Sequence, residues 1–237
     1  MRERCIARGK LKNIDVISVP FDISDVSIQE EKLSQVLNHF RCIDVLVNNA
    51  GRSLRAMTHE TNIAVDQEIF KVNVFGVINL SRLILNHWYN TKWKGHFVVT
   101  SSTTGKMGVI NAGAYSASKH ALHGYFETLR QEAYSQGIRV TMACPGPVFS
   151  QAAQRAFTGV PGELFEESHT DNLRRMKTSR CARLIAIALV NEIDEAWICF
   201  QPILLMYYAN QYIPSIFRWL LPKIMTKERV AKYREGR

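Results

Sequence analysis

Five short apolar runs set the limits on this fold. They are "DVISVPFD" (15–22), "IDVLVNNAG" (43–51), "HFVVTSS" (96–102), "IRVTMACPG" (138–146) and "AWICF" (196–200). Between them lie longer stretches with helical apolar spacing, at 28–40, 65–89, 113–136 and 178–193, the last opening on Thr178 or Ser179 as its cap. A strand that is apolar throughout must be covered on both faces, and strands alternating with helices pair in parallel. The pattern predicts a doubly wound α/β domain with right-handed crossovers and a parallel sheet. In such a sheet a ligand sits beyond the carboxyl ends of the strands.

That rule directs attention to what ends each run. The first ends at Asp22 and the second in Asn48-Asn49-Ala50-Gly51. The third ends in Ser101-Ser102 and the fourth in Pro145-Gly146. Tyr115 and Lys119 stand near the start of the next helix after Ser102, four residues apart and so on one face. An ammonium beside a phenol favours the phenolate, whose ordinary value is about 10. Tyr115 is thereby a candidate to exchange a proton with a substrate oxygen. Ser102 is a candidate to hydrogen-bond the same oxygen. None of these groups carries hydride, so a redox carrier would have to come from a cofactor.

Composition narrows the alternatives. Hydrophobic residues make up 46% and charged residues 22% of 237, enough apolar content for a sizeable core. The five cysteines, Cys5, Cys42, Cys144, Cys181 and Cys199, form no CxxC pair and read as free thiols. The formal net charge is +9, and residues 218–237 hold seven basic residues against two acidic ones. The excess is thus concentrated at one end, and without a recognition motif it does not point to nucleic acid. The segment 202–221 is apolar but broken by Asn210, Gln211, Pro214 and Arg218. It is a poor spanning helix and reads either as an interfacial segment or as one packed on the domain. The N-terminal residues hold no apolar run, so no signal peptide or anchor is expected there. His120 and His123 have no carboxylate or third ligand nearby in sequence, and no metal site is expected. The sequon at 79–81 falls inside a helix and is expected to stay unmodified. Residues 150–177, with Gly159, Pro161 and Gly162, read as a lid over the substrate.

The strings "VLVNNAG", "VNVFGVINLS", "VVTSS", "YSASKHAL" and "CPGPV" resemble the short-chain dehydrogenase/reductases, over about residues 15 to 200. Residues 178–184, 195–214 and the basic end resemble membrane-associated reductases of the endoplasmic reticulum within that family. The resemblance implies a Rossmann-like domain at 1–200 and an apolar, then basic, tail at 201–237. It implies NADP(H), with NAD(H) as the second choice, and a lipophilic carbonyl or alcohol substrate of steroid or retinoid type. Tyr115 matches the general acid/base, and Lys119 the residue that lowers the tyrosine's pKa and holds the nicotinamide ribose. Ser102 matches the substrate-polarising serine and Asn73 the asparagine that supports a water linked to the lysine. Asp22 and Ile23 match the adenine-side contact, and Asn49, Ala50 and Gly51 the turn along the cofactor. Pro145, Gly146 and Val148 match the nicotinamide-side loop, with Ser150 in place of a common threonine.

One family element does not occur in these 237 residues. It is the TGxxxGxG turn whose backbone cradles the pyrophosphate at a helix N-terminus. "TTGKMGVINAG" (103–113) is the loop joining Ser102 to Tyr115 instead. The resemblance therefore sets Met1 in the helix before the family's third strand, with the first strand–helix–strand missing. Exposed apolar sheet surface is expected as a result. An endoplasmic-reticulum membrane location is implied, or a cytoplasmic one if the chain begins at Met1. The alternative to catalysis is an inactive chain that binds a membrane or a partner through its basic end. A homo-oligomer is left open.

Overall fold

The computed structural model describes residues 2–9, 11–150, 155–165 and 175–224. Parts of the expected lid (151–154 and 166–174) and the basic end beyond 224 lie outside them. The strands β1 (Val45–Asn48), β2 (His96–Thr100), β3 (Arg139–Pro145) and β6 (Glu195–Ile198) form one sheet in the order β1-β2-β3-β6. Every neighbouring pair in it is parallel. A short antiparallel pair, β4 (Ala156–Phe157) with β5 (Leu164–Phe165), stands apart. The helices are α1 (Arg2–Gly9), α2 (Gln29–Phe40), α3 (Ile63–Phe70), α4 (Gly76–Thr91) and α5 (Gly113–Ala133). They continue with α6 (Thr178–Val190), α7 (Ile203–Tyr212) and α8 (Pro214–Ile224).

Alternation along the strands sorts the layers. Phe97, Val99, Val140 and Met142 point to one face, where Ile84 and Trp88 of α4 and Leu122, Phe126 and Leu129 of α5 pack on them. Leu33 of α2 joins this core. Ala196 and Ile198 of β6 are in register with Ala143 and Pro145, so they occupy the other face. There they meet Cys181, Leu184 and Ile185 of α6. The core closes tightly around Trp88, whose ring lies 4.6 Å from Phe97 and whose indole N–H donates to the Ile43 carbonyl at 2.7 Å.

Two expectations are corrected. Residues 15–22 are not a strand: Asp15 closes a 3-10 turn, and 16–22 run as irregular chain, half-buried or exposed. An apolar run becomes a strand only when a neighbouring strand takes its hydrogen bonds in register, and among the described residues 16–22 join neither sheet. The sheet ends instead at β1, where Val45 and Val47, beside Val98 on the α6 face, are 37% and 52% exposed. The expected cap of α6 also differs. Lys177 is the N-cap residue, and the Thr178 hydroxyl donates to the Phe149 carbonyl, tying the helix start to the loop after β3.

The helical pattern at 65–89 proves to be two helices joined by a single π-turn, Lys71–Phe75. The Asn62 side chain caps the start of α3 by accepting from the Ala64 N–H at 2.9 Å. Trp88→Phe removes the bond to Ile43 and leaves a void beside Phe97. It is expected to cost about 2–3 kcal/mol, read as a lower urea midpoint at unchanged slope.

Candidate active site

Tyr115, Lys119 and Ser102 converge at the carboxyl ends of β2 and β3. Ser102 follows β2 and is buried. Its hydroxyl accepts from the Thr104 N–H at 3.1 Å and donates to the Pro145 carbonyl at 3.3 Å. The Ser102 hydroxyl lies close enough to the Tyr115 phenol to favour its ionised form. Both candidate hydroxyls therefore address one point above the sheet. Lys119 lies a turn further along α5, almost wholly buried, and its ammonium donates to the Thr100 carbonyl at 2.9 Å. The same nitrogen stands 5.8 Å from the centre of the Tyr115 ring.

The acidity of the pair departs from expectation. Burial pushes the Tyr115 phenol above its ordinary value of 10. The opposing influences come from Ser102, Arg55 and Thr104 rather than from Lys119. Burial also draws the Lys119 ammonium down to about 8. Near neutral pH the phenol is thus protonated, the form that gives a proton to a carbonyl oxygen.

Asn73 sits in the π-turn and is fully buried. Its Oδ1 accepts from the Arg52 N–H at 2.7 Å, and its Nδ2 donates to the Arg52 carbonyl at 2.9 Å and to Ser118 Oγ at 3.0 Å. It fixes the turn after β1 to α5. A Cβ on Gly51 would come within 3.3 Å of Asn73 Oδ1 and 3.5 Å of Lys119 Nζ, so the turn lies directly against both buried groups. Asn49 Oδ1 accepts from Thr100 Oγ1 at 3.1 Å, while Ala50 is exposed. Pro145 ends β3, and the Gly146 N–H donates to the Ile198 carbonyl at 2.9 Å. A Cβ on Gly146 would fall 2.2 Å from Cys199 Sγ, so the loop can lie on β6 only with glycine there. Val148 bridges to Met176, and Ser150 is exposed at the end of that loop.

Asp22 and Ile23 stand further off, beside the start of α4. The Asp22 carboxylate accepts from the Ser24 N–H and hydroxyl at 2.9 and 2.8 Å, which hold it below the usual carboxylate range. The Ile23 and Gly76 carbonyls both accept from the Gln29 side chain, at 2.8 and 3.1 Å. Arg55, Thr104 and Ser118 were not singled out from sequence. The available sign for Ser118 was its place three residues after Tyr115 on the same helix.

The short chain dehydrogenase family model matches residues 2–160. The chain belongs to this family. Across all 237 residues it is 37% identical to dehydrogenase/reductase SDR family member 7 of Mus musculus, covering 69% of that protein. A short-chain dehydrogenase from Streptomyces avermitilis superposes with a TM-score of 0.73 at 22% identity, over 92% of this chain and 82% of that one. Another, from Burkholderia cenocepacia and solved in complex with NADP, gives 0.70 at 20% identity, over 87% and 78%. Family membership makes this chain an oxidoreductase by class, and Tyr115, Ser102 and Lys119 occupy the expected edge of its sheet.

Below the site, this short-chain dehydrogenase holds a cluster that sequence spacing did not reveal. His123, expected to have no carboxylate nearby, has Glu127 one turn further along α5 at 3.8 Å and lies between Cys144 and Glu195. Its Nε2 is 3.6 Å from Cys144 Sγ and its Nδ1 is 3.5 Å from a Glu195 oxygen. That carboxylate is already held by Lys106 at 2.7 Å and by the Trp197 indole N–H. The three candidate ligand atoms lie within 4.8 Å of one another, a grouping that could hold a metal ion, although the Glu195 carboxylate is already engaged by Lys106 and Trp197. Burial and then the Lys106 charge draw His123 down to about 4, against a pull upward from Glu195. Burial pushes the Cys144 thiol up to about 12.

The folded His123 value lies below its ordinary 6.5, so the unfolded chain takes up the proton first as pH falls. This contribution is complete above about pH 6.5 and is lost towards pH 4, at most about 3 kcal/mol. His123→Gln should flatten that part of the stability–pH curve, measured by urea unfolding across roughly pH 4 to 7.5.

Proposed function

We propose that this protein is an NADP(H)-dependent carbonyl reductase/alcohol dehydrogenase acting on a lipophilic substrate of steroid or retinoid type. The observation that carries the reading is the meeting of the Tyr115 and Ser102 hydroxyls above a buried Lys119 ammonium. A carbonyl oxygen placed between the two hydroxyls would be polarised by both as negative charge develops on it. Tyr115 would deliver the proton, and in the reverse direction would receive it from an alcohol.

A nicotinamide cofactor would supply the hydride. Lys119, beside Gly51, suits the ribose, Asn73 supports the turn next to it, and Pro145–Gly146 suits the nicotinamide. A relative of the same fold was solved with NADP, which supports the choice of cofactor class. Ala56, which packs with Tyr115 on the cluster around Leu54 and Phe157, also lines a cavity of about 270 Å³. Ala56, Met57 and Val160 line it together with the polar Arg55, Glu60, Asn111 and Thr158. Such a lining suits an apolar body carrying a polar group.

A second reading has its own support in the exposed apolar side chains of the C-terminal helices and the basic end that follows them. On that reading the chain binds a membrane or a partner without hydride transfer. Thermal unfolding with and without NADPH separates the two. A rise in Tm that saturates with NADPH, larger than with NADH, favours the reductase. No rise at saturating cofactor favours the binding module. Where turnover of a hydrophobic ketone is measurable, Tyr115→Phe should lower kcat by about a thousandfold or more while leaving the NADPH-induced rise in Tm intact. Near-normal turnover of that variant would remove Tyr115 from the role.

A further inference from the structure

The two C-terminal helices carry a surface that the catalytic reading does not use. Tyr207 and Phe217 anchor α7 and α8 by burying their rings, and Tyr208 packs 5.0 Å from Trp197. The Asn210 side chain donates to the Lys106 carbonyl at 3.2 Å. Several other large apolar side chains of the two helices face outward, while Ile203, Leu204, Met206 and Leu221 are half-buried. Leu205, Tyr208 and Tyr212 follow one another at i, i+3 and i+7 on α7, with Leu205 62% and Tyr212 74% exposed. Ile216, Trp219, Leu220 and Lys223 repeat the pattern at i, i+3, i+4 and i+7 on α8, with Ile216 56% and Trp219 64% exposed. The Lys223 ammonium rests 3.3 Å from the centre of the Trp219 ring. Arg218 is exposed on the same helix, outside the apolar stripe.

Among the described residues no helix is long and apolar enough to cross a membrane. An exposed stripe of aromatic and aliphatic residues with cations at its rim suits the boundary between lipid headgroups and acyl chains. We infer that α7 and α8 lay this face onto an anionic lipid bilayer, with Ile216, Trp219 and Leu220 inserted among the headgroups. Charge decides between occupants. The final twenty residues hold seven basic against two acidic side chains, which a negative surface attracts. A second copy of the chain would bring that same positive charge against itself. The link from Asn210 to Lys106 sets the docked face next to the turn that carries Ser102, so a hydrophobic substrate would have a short path from the bilayer.

The inference does not rest on turnover, and its test reads binding alone. The full chain is mixed with vesicles of phosphatidylcholine, with or without phosphatidylserine, and floated through a density gradient. The protein should rise with the phosphatidylserine vesicles only, less so as salt is raised, and its tryptophan emission should move to the blue. Ile216→Ser with Leu220→Ser should weaken the partition about tenfold or more, with the circular dichroism unchanged. Trp219→Phe should abolish most of the emission shift, an independent readout should the double variant fail to fold. No flotation with the anionic vesicles would overturn the inference. So would flotation indifferent to these residues. A concentration-dependent dimer that the double variant dissolves and vesicles do not compete with would assign the face to a second copy instead.

Discussion

Asn73 is buried beyond the reach of water, and an amide in that position must find its partners in protein. It finds them in the main chain of Arg52 and the hydroxyl of Ser118. Those three bonds join the turn after β1, the π-turn between α3 and α4, and the first turns of α5. The Ser118 hydroxyl in turn donates to the Tyr115 carbonyl at 2.7 Å, so the clasp reaches the backbone that carries the phenol. Gly51 can lie directly against Lys119 because Asn73 fixes the residue after it. Chemistry at the strand ends depends on this one side chain although it need not touch a reacting atom.

A second link acts from below. Lys106 follows the Ser102 turn, bonds the carboxylate of Glu195 on β6, and offers its carbonyl to Asn210 on α7. The serine turn is therefore held by the sheet on one side and by the C-terminal helices on the other. His123 and Cys144 fill the space beneath without adding net charge, which keeps a buried ammonium at Lys119 from meeting a second cation next to it.

What could be read from sequence was whatever the backbone period fixes. Tyr115 and Lys119 share a face because helical spacing requires it, and Ser102 and Pro145 meet because their strands are parallel neighbours. The apolar run at 15–22 forms no strand because apolar content reports burial potential, whereas strand pairing needs a second chain segment that spacing does not locate. The π-turn was hidden because apolar residues recur smoothly through 65–89. His123, Cys144 and Glu195 come from α5, β3 and β6, and only the register of the last two brings them together. The acidity of Tyr115 escaped for a related reason. Adjacent charge is visible in a sequence, but the desolvation that outweighs it is not.

The π-turn at Lys71–Phe75 accommodates one residue more than a regular helix would over the same rise. α3 and α4 are consequently out of phase by about 100°. Val65 and Ile69 can therefore face the cluster around Leu54 and Phe157 while Val77 and Ile84 face the main core. Loss of any one residue from this stretch would restore an unbroken helix and turn one of the two apolar faces towards water. The insertion is thus locked in place by the packing on either side of it, and Asn73 inherits its inward aim from a mismatch that neither flanking helix could correct alone.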